Sequence, residues 1–252
     1  MSRVTARTRV VALLGHPVAH SQSPTLHNGW IEQLGLDAVY VAMDGGPACP
    51  TDPALLVRAG LWGANLTIPL KTRATPDQLE ADAAATGAVN TLYWRDGLLV
   101  GANTDVEGFR HSTEAALGSL AGRRCLVLGT GGAARAVIHA LQSAQADRVE
   151  VAGRTDRGLG LPVHLLSEVD TRGFDLVVQT LPAAGRAAVA ALDLPQGAGA
   201  AWVDLNYWDA DPPLASQARA AGIPFVTGHA MLDAQARAAF ERWFGVRPPE
   251  GS

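Results

Sequence analysis

The residues with the clearest chemical potential form a glycine-rich turn in the middle of the chain. Residues 129–132, Gly-Thr-Gly-Gly, join an apolar run at 125–128 to a helix-forming run at 133–141. This order favours pyrophosphate binding, because a helix start presents unpaired N–H groups and glycines let the backbone approach an anion. The spacing departs from the usual dinucleotide fingerprint, with Ala134 in the third-glycine position. Alone, the motif is also compatible with a turn that binds no ligand.

The residues after the next predicted strand indicate which dinucleotide the turn would bind. An NAD site usually places an acid there to hold the ribose hydroxyls, whereas this chain has Arg154, Thr155 and Arg157. Glu150 lies in the middle of the strand, from which it cannot easily reach the ribose. A guanidinium binds phosphate through two charge-assisted hydrogen bonds, so the pattern favours the 2′-phosphate of NADP. The alternative is that both arginines are solvated loop charges.

Two further side chains could move a proton. Lys71 follows an extended segment whose alternation predicts Asn65, Thr67 and Pro69 on one face. Most of the 20 basic residues are arginine, and a lysine among arginines indicates a need for a titratable amine. Asp105 could be a helix N-cap, but beside Lys71 it could also exchange a proton with the amine. The alternatives are a surface lysine and a capping aspartate.

Ser21 and Ser23 flank the predicted start of a helix. Ser23 followed by Pro24 predicts an N-cap and a first helical residue. Two hydroxyls at a helix start can bind a carboxylate with help from the helix dipole. The alternative is that they only cap the helix.

Together these segments resemble the shikimate dehydrogenase family. The matching motifs follow the family's order over nearly the whole chain: G-H-P-V-A-H-S-Q-S-P from Gly15, N-L-T-I-P-L-K from Asn65, G-A-V-N-T from Gly87, N-T-D from Asn103, G-T-G-G-A from Gly129, D-L-N-Y from Asp204 and M-L-D-A-Q from Met231. The resemblance implies two α/β domains with a cleft between them, one a substrate domain and one a Rossmann-like, doubly wound dinucleotide-binding domain. It also implies reversible, NADP-dependent reduction of 3-dehydroshikimate to shikimate.

The resemblance also implies a role for each matching residue. Lys71 and Asp105 would be the catalytic pair and would contact the substrate. The other expected substrate-binding residues are Ser21, Ser23, Thr67, Asn90, Tyr207 and Gln235. The expected cofactor-binding residues are Gly129, Thr130, Gly131, Gly132 and Ala133 for the pyrophosphate, Arg154, Thr155 and Arg157 for the adenosine phosphate, and Leu205, Gly228 and Met231 beside the nicotinamide.

The same resemblance assigns residues 1–105 and 230–252 to the substrate domain and residues 106–229 to the NADP domain. Quinate or an aminoshikimate would need few changes in such a site and remains an alternative substrate. A relative that binds NADP or a metabolite as a sensor and has lost catalysis is a further alternative, which the presence of both Lys71 and Asp105 disfavours. A folate-linked or amino-acid dehydrogenase is disfavoured by the paired serines and the N-T-D motif.

Several positions depart from the family pattern, mostly in the predicted cofactor domain. Gly153 replaces the usual asparagine before the Arg-Thr pair, and residues 179–182, Gln-Thr-Leu-Pro, replace an Asn-Ala-Thr-type segment. Ala81 and Ala102 stand where the family often has acids. Residues 156–162 contain two glycines and a proline, which predicts a loop where the family usually has a helix.

The elements that must position these residues alternate between strand and helix, which predicts a mostly parallel α/β architecture. The predicted strands are 10–15, 39–43, 62–69, a hairpin of 89–94 and 98–101, then 125–128, 149–152, 175–180, 201–205 and 224–227. The predicted helices are 23–34, 53–59, 76–86, 106–117, 133–141 and 230–244. Residues 118–123 are predicted to join the two domains.

Composition excludes several other classes of protein. The 252 residues are 48% hydrophobic and 17% charged, enough for a sizeable core. A net charge of −4 without a basic stripe argues against nucleic acid as a partner. Two cysteines, Cys49 and Cys125, support neither a disulfide scaffold nor a metal site. The first apolar run, 10–14, is too short for a signal peptide or a membrane span, so we expect a cytoplasmic protein. We expect it to be a monomer or a homodimer.

Overall fold

The computed structural model describes residues 4–46, 52–155, 158–197, 199–207 and 209–249. The chain divides into two compact units, Met1–Thr104 with Gln235–Ser252, and Asp105–Ala234. Residues 118–123 lie inside the second unit, so the prediction that they join two domains is wrong. The chain leaves the first unit directly after the N-T of the N-T-D motif and returns to it at Gln235.

The first unit contains a six-stranded mixed sheet. Its strands are β1 (Arg9–Gly15), β2 (Ala38–Asp44), β3 (Gly63–Leu66), β4 (Gln78–Leu79), β5 (Thr91–Arg95) and β6 (Leu98–Ala102), in the order β2-β1-β3-β5-β6-β4. β1 pairs in parallel with β2 and β3, so the carboxyl ends of these three strands share one edge. The predicted hairpin is confirmed, with Asp96 and Gly97 at positive φ between β5 and β6.

The second unit contains a six-stranded sheet in which every pairing is parallel. Its strands are β7 (Arg124–Leu128), β8 (Arg148–Gly153), β9 (Val163–Leu165), β10 (Leu176–Gln179), β11 (Ala201–Asp204) and β12 (Phe225–Thr227), in the order β12-β11-β10-β7-β8-β9. The prediction of a mixed α/β protein with a doubly wound parallel sheet is therefore confirmed.

Helices cover the faces of both sheets. They are α1 (Ser23–Gln33), α2 (Pro53–Arg58), α3 (Ala81–Thr86), α4 (Thr104–Leu117), α5 (Gly132–Ser143), α6 (Arg186–Ala190), α7 (Ala215–Ala220) and α8 (His229–Phe244), with short 3-10 turns at Thr171–Gly173 and Ala183–Gly185. Within the described ranges, no helix combines the length and the apolar character that crossing a membrane requires.

Both faces of the first sheet are buried, which explains why β1 reads as a continuous apolar run. Val11 and Leu13 pack with Trp30 of α1 and Phe240 of α8 on one face. Leu14, from the alternate set of β1 residues, packs on the other face with residues of α2 and α3. The second sheet is built in the same way, with two buried clusters that include alternate residues of β7.

Residues 76–86 were predicted as one helix, and this prediction is wrong for the first part. Gln78–Leu79 is a strand that pairs in parallel with β6, and only Ala81–Thr86 is helical. The N–H of Asp77 donates to Leu99 O at 2.8 Å, and that of Glu80 donates to Gly101 O at 2.8 Å. The free edge of β6 therefore extends this segment, although its local sequence favours a helix.

The loop predicted at residues 156–162 is confirmed over the part that the structure describes. Residues 158–162 contain no helix, and β9 follows them directly. The guanidinium of Arg135 on α5 donates to Gly158 O at 3.4 Å. Asp156 and Arg157 lie outside the described residues.

Candidate functional site

The loops after β1 and β3 meet at the carboxyl edge of the first sheet. The N–H of Thr67 donates to Leu14 O at 2.9 Å, and the N–H of His16 donates to Ile68 O at 2.7 Å. Gly15 permits this approach, because a Cβ there would lie 2.3 Å from Thr67 Cγ2. The sequence indicated Gly15 only as a strand end, and nothing in its neighbourhood along the chain reveals this contact.

Ser21 and Ser23 lie at the start of α1, which follows the loop after β1. The N-cap of α1 is Gln22, not Ser23, so the predicted capping role of Ser23 is wrong. Instead, the hydroxyl of Ser21 accepts a hydrogen bond from the N–H of Ser23 at 3.2 Å. Within the part of the chain that the structure describes, the side chain of Gln22 makes no capping hydrogen bond. The two hydroxyls therefore accompany a helix start whose positive end suits a carboxylate.

Lys71 is the only lysine in the chain, and the other residues in the count of 20 lysines and arginines are all arginine. It follows β3 after a turn in which the N–H of Leu70 donates to Thr67 O at 2.7 Å. The strand ends at Leu66, so the prediction that Thr67 and Pro69 continue the face of Asn65 is wrong. The carbonyl of Lys71 accepts the N–H of Val89 at 2.7 Å, which fixes its backbone beside the G-A-V-N-T motif.

Asn90 joins that motif to the start of α4. Its Oδ1 accepts the N–H of Thr104 at 2.8 Å, and its Nδ2 donates to Thr104 Oγ1 at 2.9 Å. Asp105 is therefore the second residue of α4 and not its N-cap, which corrects the predicted capping role. A side chain 14 residues earlier accepts the first N–H of α4, which has no partner within the helix.

The structure thus brings five predicted residues to one edge of the first unit: Ser21, Ser23, Thr67, Lys71 and Asn90. Gln235, on α8, is the first residue of the segment that returns to this unit. Asp105 and Tyr207 belong to the second unit. Asp105 is buried, and the ring of Tyr207 lies edge-on to His229 with 6.2 Å between centroids.

In the second unit, the glycine turn has the conformation that the sequence predicts. Gly129 follows β7 with a φ of 119°, and Gly131 is the N-cap of α5. A Cβ on Gly131 would meet no atom of the described residues within 4 Å. The turn therefore leaves open space at the N-terminus of α5, where backbone N–H groups can bind a pyrophosphate.

Arg154 and Thr155 follow β8 and are exposed. Gly153 packs against the glycine turn, since a Cβ there would lie 2.8 Å from Thr130 Cγ2. Glu150 forms an ion pair with Arg148 at 2.6 Å, and its other carboxylate oxygen lies 2.9 Å from His164 Nε2. Among the described residues, two exposed polar side chains thus stand where an NAD site usually has an acid.

Leu205, Gly228 and Met231 also lie together in the second unit. The N–H of Gly228 donates to Asn206 O at 3.4 Å, next to Leu205 in the chain. Met231 belongs to the buried cluster against which Leu205 packs. Leu205 and Gly228 directly follow β11 and β12, and Met231 lies on α8.

Asp204 is a buried carboxyl to which the sequence assigned no role. Its Oδ1 accepts the N–H of Asn206 at 2.9 Å, while its Oδ2 has no hydrogen-bond partner within the described part of the chain. Burial raises the pKa of the Asp204 carboxyl to about 6. Only its membership of the D-L-N-Y motif could have drawn attention to it.

No group of three His, Cys, Asp or Glu side chains in the described ranges could hold a metal ion. Cys125 is a buried core residue, and burial raises the pKa of its thiol to about 12. Cys49 lies outside the described residues.

Known proteins resemble this chain over nearly its full length. A family model for the shikimate dehydrogenase substrate binding domain matches residues 13–92. The shikimate dehydrogenase (NADP(+)) of Geobacter sp. (strain M21) is 40% identical, covering 98% of this chain and 94% of the relative. The corresponding enzyme of Brucella canis is 38% identical, covering 96% of this chain and 91% of the relative.

Solved structures of shikimate dehydrogenases also resemble this chain over nearly its full length. Shikimate 5-dehydrogenase from Thermus thermophilus, in complex with NADP(H) and shikimate, is 35% identical with a TM-score of 0.82, covering 96% of this chain and 95% of that one. Shikimate dehydrogenase from Aquifex aeolicus is 29% identical with a TM-score of 0.82, covering 98% and 96%. The chain therefore belongs to the shikimate dehydrogenase family.

Proposed function

We propose that this chain is an oxidoreductase that reversibly reduces 3-dehydroshikimate to shikimate with NADPH. The observation that carries the proposal is the edge of the first sheet, where two serine hydroxyls, a threonine, an asparagine amide and the only lysine come together. This set offers groups for a carboxylate, for ring hydroxyls and for proton transfer. The relatives named above, with NADP or shikimate in their names and titles, support the choice of ligands.

On the substrate side, Ser21 and Ser23 would bind the carboxylate with the positive end of α1. Thr67, Asn90, Tyr207 and Gln235 would bind the ring hydroxyls or the reacting edge. Because Asn90 also holds the start of α4, its amide has a fixed orientation before substrate binds. A fixed amide spares the entropy of ordering the group when the complex forms.

On the cofactor side, residues 129–133 would hold the pyrophosphate at the start of α5. Arg154, Thr155 and Arg157 would bind the 2′-phosphate, and Leu205, Gly228 and Met231 would line the nicotinamide side. The open space beside Gly131 and the exposed Arg154 fit such a ligand. Bound NADP supplies or accepts the hydride, and the protein supplies orientation and electrostatics.

Lys71 would manage the proton of the reaction. When shikimate is oxidised, the reacting hydroxyl loses its proton to the Lys71 amine, and in reduction the Lys71 ammonium returns a proton to the carbonyl oxygen. Asp105 would orient Lys71 and the hydroxyl by accepting hydrogen bonds from them. In this proposal residues 1–105 and 230–252 form the substrate domain and residues 106–229 form the NADP domain. The exceptions by role are Tyr207, which would bind substrate, and Met231, which would bind the cofactor.

The proposal takes small molecules as partners and no nucleic acid, in keeping with a net charge of −4. It places the chain in the cytoplasm as a monomer or a homodimer. Size-exclusion chromatography coupled to light scattering decides between one and two copies, and a larger assembly would contradict this part of the proposal.

The test is a spectrophotometric assay of NADPH formation by the purified chain. We expect turnover with shikimate and NADP⁺, and slower turnover when quinate replaces shikimate or NAD⁺ replaces NADP⁺. Faster turnover of quinate would change the substrate but keep the enzyme class. NADP binding without turnover of either substrate would instead indicate a catalytically silent relative.

A further inference from the structure

Tyr40 lies on β2, outside every motif that predicts the site. It is 2% exposed, and its hydroxyl donates a hydrogen bond to Asn65 Oδ1 at 2.8 Å. Asn65 is also buried, and its Nδ2 donates to Asn90 O at 3.2 Å and to Thr91 Oγ1 at 3.1 Å. The amide of Asn65 therefore has one consistent orientation, with its oxygen toward Tyr40 and its nitrogen toward β5.

The hydrogen bonds continue from β5 to the start of α4. Thr91 Oγ1 donates to Asn90 Oδ1 at 2.9 Å, and the same Asn90 oxygen accepts the N–H of Thr104 at 2.8 Å. A continuous buried path thus runs from the Tyr40 hydroxyl through Asn65, Thr91 and Asn90 to Thr104. The path ends at Thr104, the first residue of α4, and Asp105 is the second residue of that helix.

Tyr40 itself is held by α1 at its backbone and at its ring. The side chain of Asn28 accepts the Tyr40 N–H at 2.9 Å and donates to Tyr40 O at 2.8 Å. The imidazole of His27 stacks on the phenol ring with centroids 4.4 Å apart. Burial lowers the pKa of His27 to about 3, so the imidazole stacks as a neutral ring. His27 and Asn28 both belong to α1, the helix that begins at Ser23.

We propose that Tyr40 is a positioning residue for the reaction, acting through Asn65 and Thr91 on Asn90 and on the first turn of α4. It connects α1, which begins at Ser23 and directly follows Ser21 and Gln22, to the Asn90 amide and the start of α4 on the other side of β3. The expected effect of Tyr40 on kcat rests on the proposed function. The positioning of Asn90 and of the start of α4 by Tyr40 does not.

The first test is Tyr40→Phe, which removes the hydroxyl and keeps the stacked ring. Tyr93→Phe is the matched control, since Tyr93 is another buried tyrosine of the same unit, whose hydroxyl donates to Glu80 away from this path. We expect kcat for shikimate oxidation to fall about tenfold or more in Tyr40→Phe, with KM for NADP⁺ unchanged. An equal fall in Tyr93→Phe, or no fall in Tyr40→Phe, would overturn the proposal.

A double-mutant cycle tests whether Tyr40 acts through its hydrogen-bonded neighbours. If it does, adding Tyr40→Phe to Thr91→Val should lower kcat by much less than Tyr40→Phe does alone. Fully additive losses would overturn the proposed path. Thr91→Val suits this purpose because it removes a hydroxyl while it preserves the branched shape of a buried side chain.

Amide hydrogen exchange gives a readout that does not depend on activity. Tyr40→Phe should speed exchange at the Thr104 N–H, and Tyr93→Phe should not. If the native chain fails to turn over shikimate but exchange changes as expected, the proposed function fails and the positioning path stands. If exchange at Thr104 is the same in both variants, the path itself is wrong.

Discussion

In the first unit, the predicted site depends on side chains that hold one another, whereas in the second unit it depends mainly on backbone conformation. Asn90 has both ends of its amide engaged with Thr104. By contrast, the glycine turn offers N–H groups and open space, and Arg154 is exposed. A side-chain network restricts which residues fit, while a backbone site tolerates changes around it. The departures from the family pattern indeed fall mostly in the second unit.

The largest expected effect is at Lys71. Lys71→Ala should lower kcat by about 10²–10⁴-fold, because the reaction loses its proton donor and acceptor. Lys71→Arg keeps the positive charge but holds its proton too tightly to release it, so it should be nearly as inactive. Steady-state kinetics with shikimate and NADP⁺ measure both variants. Retention of more than about a tenth of the native kcat by Lys71→Ala would contradict the assignment.

The next effect concerns stability and the incompletely paired carboxyl of Asp204. Its pKa is about 6 in the folded chain against a reference value of 3.8, so the protonated form favours folding. This contribution is complete below pH 3.8 and is lost as the pH rises through 6. Asp204→Asn should therefore match the native chain near pH 4 and exceed its unfolding free energy by about 3 kcal/mol near pH 8.

Asp175→Asn provides a control of opposite sign, measured by the same denaturant titrations. The hydrogen bond from Arg124 lowers the pKa of Asp175, so this carboxylate stabilises the fold at neutral pH and loses that effect as the pH falls. Asp175→Asn should therefore lower the unfolding free energy at about pH 7 and leave it unchanged in acid. If Asp204→Asn were equally destabilising at both pH values, the buried carboxyl would have a structural role instead.

A third effect tests the choice of cofactor. Arg154→Ala should raise KM for NADP⁺ about tenfold to a hundredfold and leave KM for NAD⁺ nearly unchanged, because a charged hydrogen bond contributes about 1.5–3 kcal/mol. Arg148→Ala is the matched control, since Arg148 lies at the start of the same strand and pairs with Glu150. Equal changes in KM for both cofactors would show that Arg154 does not contact the 2′-phosphate.

The smallest effect tests how closely the glycine turn packs. Gly153→Asn restores the family's usual residue but should cost about 1–3 kcal/mol of stability, because its Cβ meets the Thr130 methyl group. Adding Thr130→Ala should recover most of that loss. Chemical denaturation of the single and double variants measures the coupling. If Gly153→Asn is fully stable alone, Thr130 does not explain the departure at this position.

Local sequence was sufficient for much of the fold. Apolar runs predicted the parallel strands because both faces of each sheet are buried, and Asp96-Gly97 predicted the hairpin because both residues adopt positive φ. The glycine turn was predictable because Gly129 likewise adopts a positive φ. The motifs also predicted roles for Lys71, Asn90 and Asp105, and these roles stay predictions.

The corrections arise where distant residues decide the local conformation. Residues 77–80 are extended because the edge of β6 supplies hydrogen bonds that no nearby residue reveals. Asp105 is not a cap because α4 begins one residue earlier, at Thr104, whose N–H is bound by the distant Asn90. Tyr40 went unnoticed for the same reason, since its partner Asn65 lies 25 residues further along the chain.

The central claim is that this chain exchanges a hydride between shikimate and NADP⁺. The most direct measurement is the absorbance of NADPH after mixing the purified chain with both compounds, followed by the reverse reaction from NADPH and 3-dehydroshikimate. We expect NADPH formation in the first direction and NADPH consumption in the second. A chain that binds NADP⁺ yet changes the absorbance in neither direction would contradict it.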